Sequence, residues 1–178
     1  MPLSDDPVDD LYIAWDNHVA FASKNPAVHR IAYAPSLAEV PCGVEKGRRL
    51  LIKRLVRCAE VGRLNTTPDR AAQAMMAACV GINLSVLSQP ATYADENLAQ
   101  RVGAAVIRGL LTEPTEPAPD QPIEALRTAA LQVSALIRTT PTPLTNAEST
   151  LMLQWLDIVT AACDSGAPMR PEDAELAG

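Results

Sequence analysis

Apolar residues recur every three or four positions along most of this chain, a spacing that places them on one face of a helix. β-Branched residues rarely alternate with polar ones, so we expect no substantial β-structure. The pattern predicts an all-α fold, a bundle of about seven helices. In chain order they cover Pro7 to Asn25, Pro26 to about Ala34, a segment after Pro41 that ends near Gly62, Thr67–Pro68 to Pro90, about Asp95 to Leu111, Ile123 to Arg138, and Thr145 to about Gly166.

Several helix ends carry capping residues. Asp6 precedes Pro7, an arrangement in which the carboxylate caps the helix and the proline takes the first helical position. Thr145 and Glu148 have the spacing of a capping box, in which each side chain bonds the other's backbone N–H. These signals fix the start of the first and last helices.

The helix from Thr67 to Pro90 is the most apolar, since no charged residue occurs between Arg70 and Asp95. We expect it to be buried on nearly all sides, against the core, a partner subunit or both. Polar residues interrupt it and Pro90 stops it, so it should be too short and too polar for a membrane span. The next helix contains Gly103 and Gly109, which would permit close helix approach.

A proline-rich acidic stretch divides the chain, because such a sequence is stiff and extended rather than helical. We therefore expect a main helical body over 1–111, a connector over 112–122, a C-terminal helical hairpin packed on the body over 123–166, and a flexible tail over 167–178. Trp155 is expected to anchor the packing of the hairpin.

Charge and motifs exclude several classes of protein. The formal net charge of −6 and pI of about 4.9 disfavour nucleic-acid binding by this chain alone. The N-terminus lacks the regions of a signal peptide, which predicts a cytoplasmic protein that is not inserted in a membrane. The cysteines show no C-x-x-C spacing, and no phosphate loop or metalloprotease motif occurs, so we expect no metal, no cofactor and no ordinary hydrolase.

A basic face on the helix that ends near Gly62 could bind phosphate, but a solvated surface face is the better interpretation in an acidic chain. An apolar pocket with a few polar points is the usual form of a small-molecule site. Our candidates for its lining are Trp15, His18, Phe21, His29, Tyr33, Met75, Met76, Cys79 and Asn83. For each aromatic or methionine, an ordinary core position is the alternative. Asn83 lies mid-helix among apolar residues, so protein, water or ligand must satisfy its amide.

Four stretches resemble the ligand-binding domains of the tetracycline-repressor (TetR) family of regulators. Asp10 to Pro26 contains W-x-x-H-V-x-F-A followed by N-P, a pattern similar to the helix that opens many such domains. Glu45 to Leu64 is similar to the family's long amphipathic helix, and Ala71 to Pro90 to one of its dimerisation helices. Leu144 to Val159 carries L-T-x-A-E and W-L-D, as in one actinobacterial-type subgroup.

The resemblance implies an effector-binding and dimerisation domain of a transcriptional regulator, such as a repressor. Its cavity would bind a small apolar or amphipathic ligand, and its dimer would form through two helices of each subunit. The interface residues expected on that basis are Ala78, Ile82, Val86, Leu98, Val102 and Val106. Only a few residues precede Pro7, so the family's helix-turn-helix headpiece is not expected in this sequence.

Two other functions stay open. One is a stand-alone helical enzyme of cyclase or isomerase type that uses His18, His29 or Asp16 as acid or base in the same cavity. The other is a headless partner that forms heterodimers with a complete regulator and blocks it. The sequence identifies neither the ligand nor any operator.

Overall fold

The computed structural model describes residues 4–34, 40–112 and 122–165, and these ranges contain seven α-helices. The all-α prediction is confirmed: apart from one isolated bridge between Leu64 and Leu111, the described residues form no β-structure. The helices are α1 Pro7–Lys24, α2 Pro26–Ala32, α3 Cys42–Glu60, α4 Pro68–Ser88, α5 Leu98–Leu110, α6 Pro122–Thr139 and α7 Asn146–Ser165.

The predicted capping residues act at the helix ends. An Asp6 carboxylate oxygen accepts a hydrogen bond from the Val8 N–H at 2.8 Å, which starts α1. Thr145 and Glu148 form the capping box, because the Glu148 carboxylate accepts from the Thr145 N–H at 2.8 Å and the Thr145 hydroxyl accepts from the Glu148 N–H at 3.3 Å. Beyond the end of α3, Gly62 takes a φ of 68°, which glycine adopts without steric cost.

Helix α5 begins at Leu98, three residues later than the expected start at Asp95. The Asp95 carboxylate accepts a hydrogen bond from the Asn97 N–H at 2.9 Å. This local bond folds the backbone into a turn that competes with helix at these residues. The prediction placed the acidic residue inside the helix, whereas it shapes the turn before it.

The chain divides into two compact units, 1–114 and 115–178. In the first unit, α4 contacts α1, α3 and α5. Leu11, Leu55 and Ile107 are fully buried there. Asp10 of α1, 3% exposed, forms an ion pair with Arg57 of α3, and Arg57 also donates to the Ser4 carbonyl at 2.8 Å. These contacts fix α1 against α3.

In the second unit, α6 and α7 form an antiparallel hairpin. The Cys163 thiol near the end of α7 lies 3.8 Å from the Ile123 carbonyl oxygen at the start of α6, which sets this direction. Trp155 is 59% exposed, so its expected role as the packing anchor of the hairpin is wrong. The tail over 167–178 and most of the connector over 112–122 lie outside the described residues, and the packing of the hairpin on the body stays a prediction.

Helix α4 is long and apolar enough to cross a membrane when judged by length and composition alone. It has 21 residues and a mean hydropathy of 1.5 over its most apolar window, of which 33% is buried. The sequence-based expectation that it is too short and too polar is therefore wrong on those two measures. Its polar Asn83 is buried and bonds within the helix, which is how a packed helix satisfies an amide.

Candidate ligand-binding cavity

A cavity of about 610 Å³ lies in the first unit, enclosed mainly by α1, α2 and α3. This volume falls within the range of small-molecule sites in proteins, roughly 300–1,000 Å³. Most of its lining is apolar. The lining residues are Ala14, Asn17, His18, Phe21, Val28, Ala32, Tyr33, Pro41, Gly43, Val44, Gly47, Arg48, Leu50, Leu51, Arg54 and Met76.

Two glycines of α3 leave room for the cavity. Gly43 and Gly47 are four residues apart, so they lie on the same face of the helix. A Cβ atom added at either position would meet no described atom within 4 Å. Glycine in a helix is less stabilising than alanine, but here it leaves the space beside the backbone empty.

Three polar rings form a cluster at the wall made by α1 and α2. The Nε2 atoms of His18 and His29 are 3.3 Å apart, and the two rings meet edge to face with centroids 5.5 Å apart. The Tyr33 ring centroid lies 4.9 Å from that of His29 and 5.9 Å from that of His18. His18 and Tyr33 line the cavity, whereas His29 is fully buried behind them.

Burial favours the uncharged form of both histidines. It lowers the pKa of His18, and the neighbouring His29 lowers it further. Burial also lowers the pKa of His29 and raises that of the Tyr33 hydroxyl. With both imidazoles neutral, one Nε2 donates and the other accepts across the 3.3 Å contact. The Nδ1 atom of His29 is buried and has no hydrogen-bond partner among the described residues.

Two arginines of α3 also line the cavity, and they differ in their partners. The Arg48 guanidinium donates twice to the Glu45 carboxylate, at 3.0 and 3.1 Å, and lies 3.7 Å from Asp69. Arg54 donates from Nη1 to the Leu50 carbonyl of its own helix at 3.3 Å. Its Nε is buried and finds no acceptor in the described part of the chain, and no described carboxylate pairs with it.

Of the nine side chains predicted to line a pocket, four do so: His18, Phe21, Tyr33 and Met76. The other five are buried and are not among the lining residues: Trp15, His29, Met75, Cys79 and Asn83. The Asn83 amide donates to the Cys79 carbonyl at 2.8 Å, so its polar group is satisfied within α4. Burial raises the pKa of the Cys79 thiol to about 12, which keeps it protonated and unreactive.

Sequence reasoning missed the contribution of α3, which supplies seven lining residues from Gly43 to Arg54. Arg48 and Arg54 belong to the basic face that was expected to be solvated; the Arg48 side chain is 41% exposed, and both arginines also line the cavity. The available signal was the pair of glycines four residues apart in an otherwise strong amphipathic helix. Asp16, the third acid–base candidate, is exposed and is not among the lining residues.

The arrangement can hold a ligand that combines an apolar body with polar groups. Within the described ranges, no three His, Cys, Asp or Glu side chains come together as metal ligands. Comparisons with models of known protein families, with curated proteins and with solved structures find no match for this chain.

Proposed function

We propose that this chain is a ligand-binding protein that takes a small amphipathic molecule into the cavity between α1, α2 and α3. The observation that carries the proposal is the cavity of about 610 Å³, whose lining is apolar except for a few polar side chains. Apolar walls supply affinity, and His18, Tyr33 and Arg54 orient the ligand. Met76 adds an adaptable wall that suits related ligands of different shape.

The wider role that we propose is that of a TetR-like effector domain, which acts as a homodimer and, joined to a DNA-binding headpiece, converts ligand binding into operator release. The exposed surface of α4 favours self-association: only 33% of its most apolar window is buried, and the exposed positions include Ala74, Ala77 and Gly81. Small residues allow two helices to approach closely. Release would require a ligand that binds the two conformations of the dimer with different affinity.

A second function, catalysis by a stand-alone helical enzyme, draws on the paired imidazoles of His18 and His29. One ring of the pair lies in the cavity wall, and the other is placed to exchange a proton with it. Such a pair could serve acid–base chemistry on a bound substrate. Turnover of a bound compound would distinguish the enzyme from the sensor.

The first test is thermal unfolding of the purified chain with a panel of amphipathic small molecules, followed by mass spectrometry of each mixture. A ligand that binds only the folded state stabilises it by roughly 2.7 kcal/mol at a hundredfold excess over its Kd. We expect stabilisation by at least one compound and no chemical conversion. If a compound is chemically converted and the His18→Ala variant does not convert it, the protein is an enzyme and not a sensor.

Variants of one glycine identify the binding site. Gly47→Leu should place a side chain in the cavity and remove the stabilisation, and Gly47→Ala should reduce it less. Ala20→Leu is the control, because Ala20 is exposed on α1 and is not among the lining residues. Stabilisation that survives Gly47→Leu unchanged would place the ligand elsewhere and overturn the proposal.

A further inference from the structure

We infer that the ligand of this cavity is an organic anion, an apolar body with a carboxylate or a similar acidic group that pairs with Arg54. The inference rests on the proposed function, since it names the chemical class of the molecule that the cavity binds. Its basis is the contrast between the two arginines of the cavity wall.

Arg54 is a cation that the described protein does not neutralise. Its Nε is buried without an acceptor, and its Nη1 reaches only the Leu50 carbonyl. A buried donor of a charged group is costly to leave unpaired, so such groups almost always have a partner. Because the Nε itself has no accessible surface, an anion in the cavity that Arg54 lines would pair with the Nη groups and neutralise the guanidinium.

Arg48, the other arginine of the cavity wall, has the carboxylate partner that Arg54 lacks among the described residues. The Glu45 carboxylate accepts two hydrogen bonds from Arg48, a bidentate pairing that neutralises it. Glu45 also accepts from Arg49 at 3.1 Å, so this carboxylate is already shared between two guanidinium groups. None of the described lining residues is acidic, and Arg54 is therefore left as the unbalanced charge of the cavity.

The other polar groups of the wall select against a cationic ligand. A histidine such as His18 is never an anion, and burial raises the pKa of the Tyr33 hydroxyl, so neither supplies a negative charge. A cation in the cavity would meet Arg54 without a compensating carboxylate. Repulsion of this kind gives specificity, and it favours anions even though the whole chain carries a net charge of −6.

A carboxylate matches the guanidinium of Arg54 in shape as well as charge. The planar fork of an arginine binds two oxygens of a carboxylate or sulfonate in parallel. The apolar remainder of the ligand would lie against Phe21, Leu50 and Leu51, which line the same cavity. This places the charged group at α3 and the body between α1 and α3.

The test uses two fluorescent dyes that differ only in an acidic group: anilinonaphthalene sulfonate and uncharged N-phenylnaphthylamine. Both are titrated into the full chain, into Arg54→Gln and into Arg54→Lys. We expect Arg54→Gln to weaken binding of the sulfonate by about tenfold to a hundredfold, to leave the uncharged dye within about twofold, and Arg54→Lys to restore part of the loss. Arg49→Gln is the matched control, because Arg49 is exposed and outside the lining.

A measurement on the unaltered chain keeps the inference testable if Arg54→Gln does not fold. Decanoate should displace the uncharged dye at a concentration at least about tenfold lower than decanol, and decyltrimethylammonium should displace it least. Equal displacement by the acid and the alcohol, or an equal effect of Arg54→Gln on both dyes, would overturn the anion inference while the cavity remained a binding site. If neither dye binds, or both bind Gly47→Leu as well as the unaltered chain, the proposed function itself fails.

Discussion

The indole ring of Trp15 lies directly against Gly103: a Cβ atom added to Gly103 would lie 2.5 Å from the indole Cε2 and Nε1 atoms. The indole N–H also donates to the Ala99 carbonyl at 3.0 Å, one turn earlier in α5. Trp15 is 3% exposed, so the ring is part of the contact between α1 and α5. The absence of a side chain at Gly103 is what lets the two helices approach this closely.

Gly103→Ala should therefore destabilise the fold. The added methyl group must displace the indole or the α5 backbone, and overpacking of this kind costs about 1–3 kcal/mol. Urea unfolding measures the change. Gly109→Ala is the control, because a Cβ there meets no described atom within 4 Å and alanine favours helix by up to about 1 kcal/mol. Equal stability of the two variants would contradict the close contact between Trp15 and Gly103.

Asp10→Asn should cost about 3 kcal/mol of unfolding free energy, since it leaves the guanidinium of Arg57 without its carboxylate. The Asp10 side chain is almost fully buried and also accepts from the Ser4 N–H at 2.9 Å, so the geometry is fixed from two sides. Glu45→Gln breaks a partly exposed pair with Arg48 and should cost under about 1 kcal/mol. Denaturant unfolding measures both changes. If the two variants lose the same unfolding free energy, burial does not determine how much each ion pair stabilises the fold.

These contacts mark the limit of what the sequence could predict. Helix ends are local: Asp6, Thr145 and Glu148 bond to backbone groups within three residues, so spacing alone found them. A cavity is not local, because it depends on which helix faces fail to fill the space between them. Periodicity identified Trp15 as apolar and inward-facing, but the same pattern fits a core residue and a pocket wall.

The sequence also did not predict that α3 lines the cavity. Arg54 belongs to the basic face that the sequence assigned to a solvated surface, yet it also lines the cavity. The sequence placed the start of the next helix at about Asp95, whereas the Asp95 carboxylate accepts a hydrogen bond in the turn that precedes α5.

The stability of the fold should fall as the pH drops below about 6.5. The pKa of His18 and that of His29 are both lowered in the folded chain, so the unfolded chain takes up protons first as the pH decreases. Stability from these groups is fully present above the unfolded pKa and is lost as the pH falls through the folded values. Urea unfolding at about pH 8 and about pH 5 measures the loss.

The chain contains only two histidines, which provides a clean control for this pH dependence. His29→Gln should reduce the loss between the two pH values, and the double variant His18→Gln, His29→Gln should remove the histidine contribution entirely. An unaltered pH profile in the double variant would show that other groups cause the loss. A rise in stability at low pH in the unaltered chain would contradict the direction of both pKa shifts.

Ala78→Glu and Val106→Glu should each disrupt the proposed dimer. Ala78 of α4 and Val106 of α5 are only half-buried within their own subunit, which leaves part of each for contact with a second copy. A glutamate at either position would be buried without a cation in the dimer but hydrated in the monomer. We therefore expect the dissociation constant of the dimer to increase at least about a hundredfold. Analytical ultracentrifugation over a concentration series measures the dissociation constant, and circular dichroism checks that each variant keeps its helices.

Ala20→Glu, on the exposed face of α1, should leave the dimer unchanged. A chain that is monomeric at every concentration, or variants that dimerise as well as the unaltered chain, would refute the interface through α4 and α5, and the exposed apolar surface of α4 would then require a different partner.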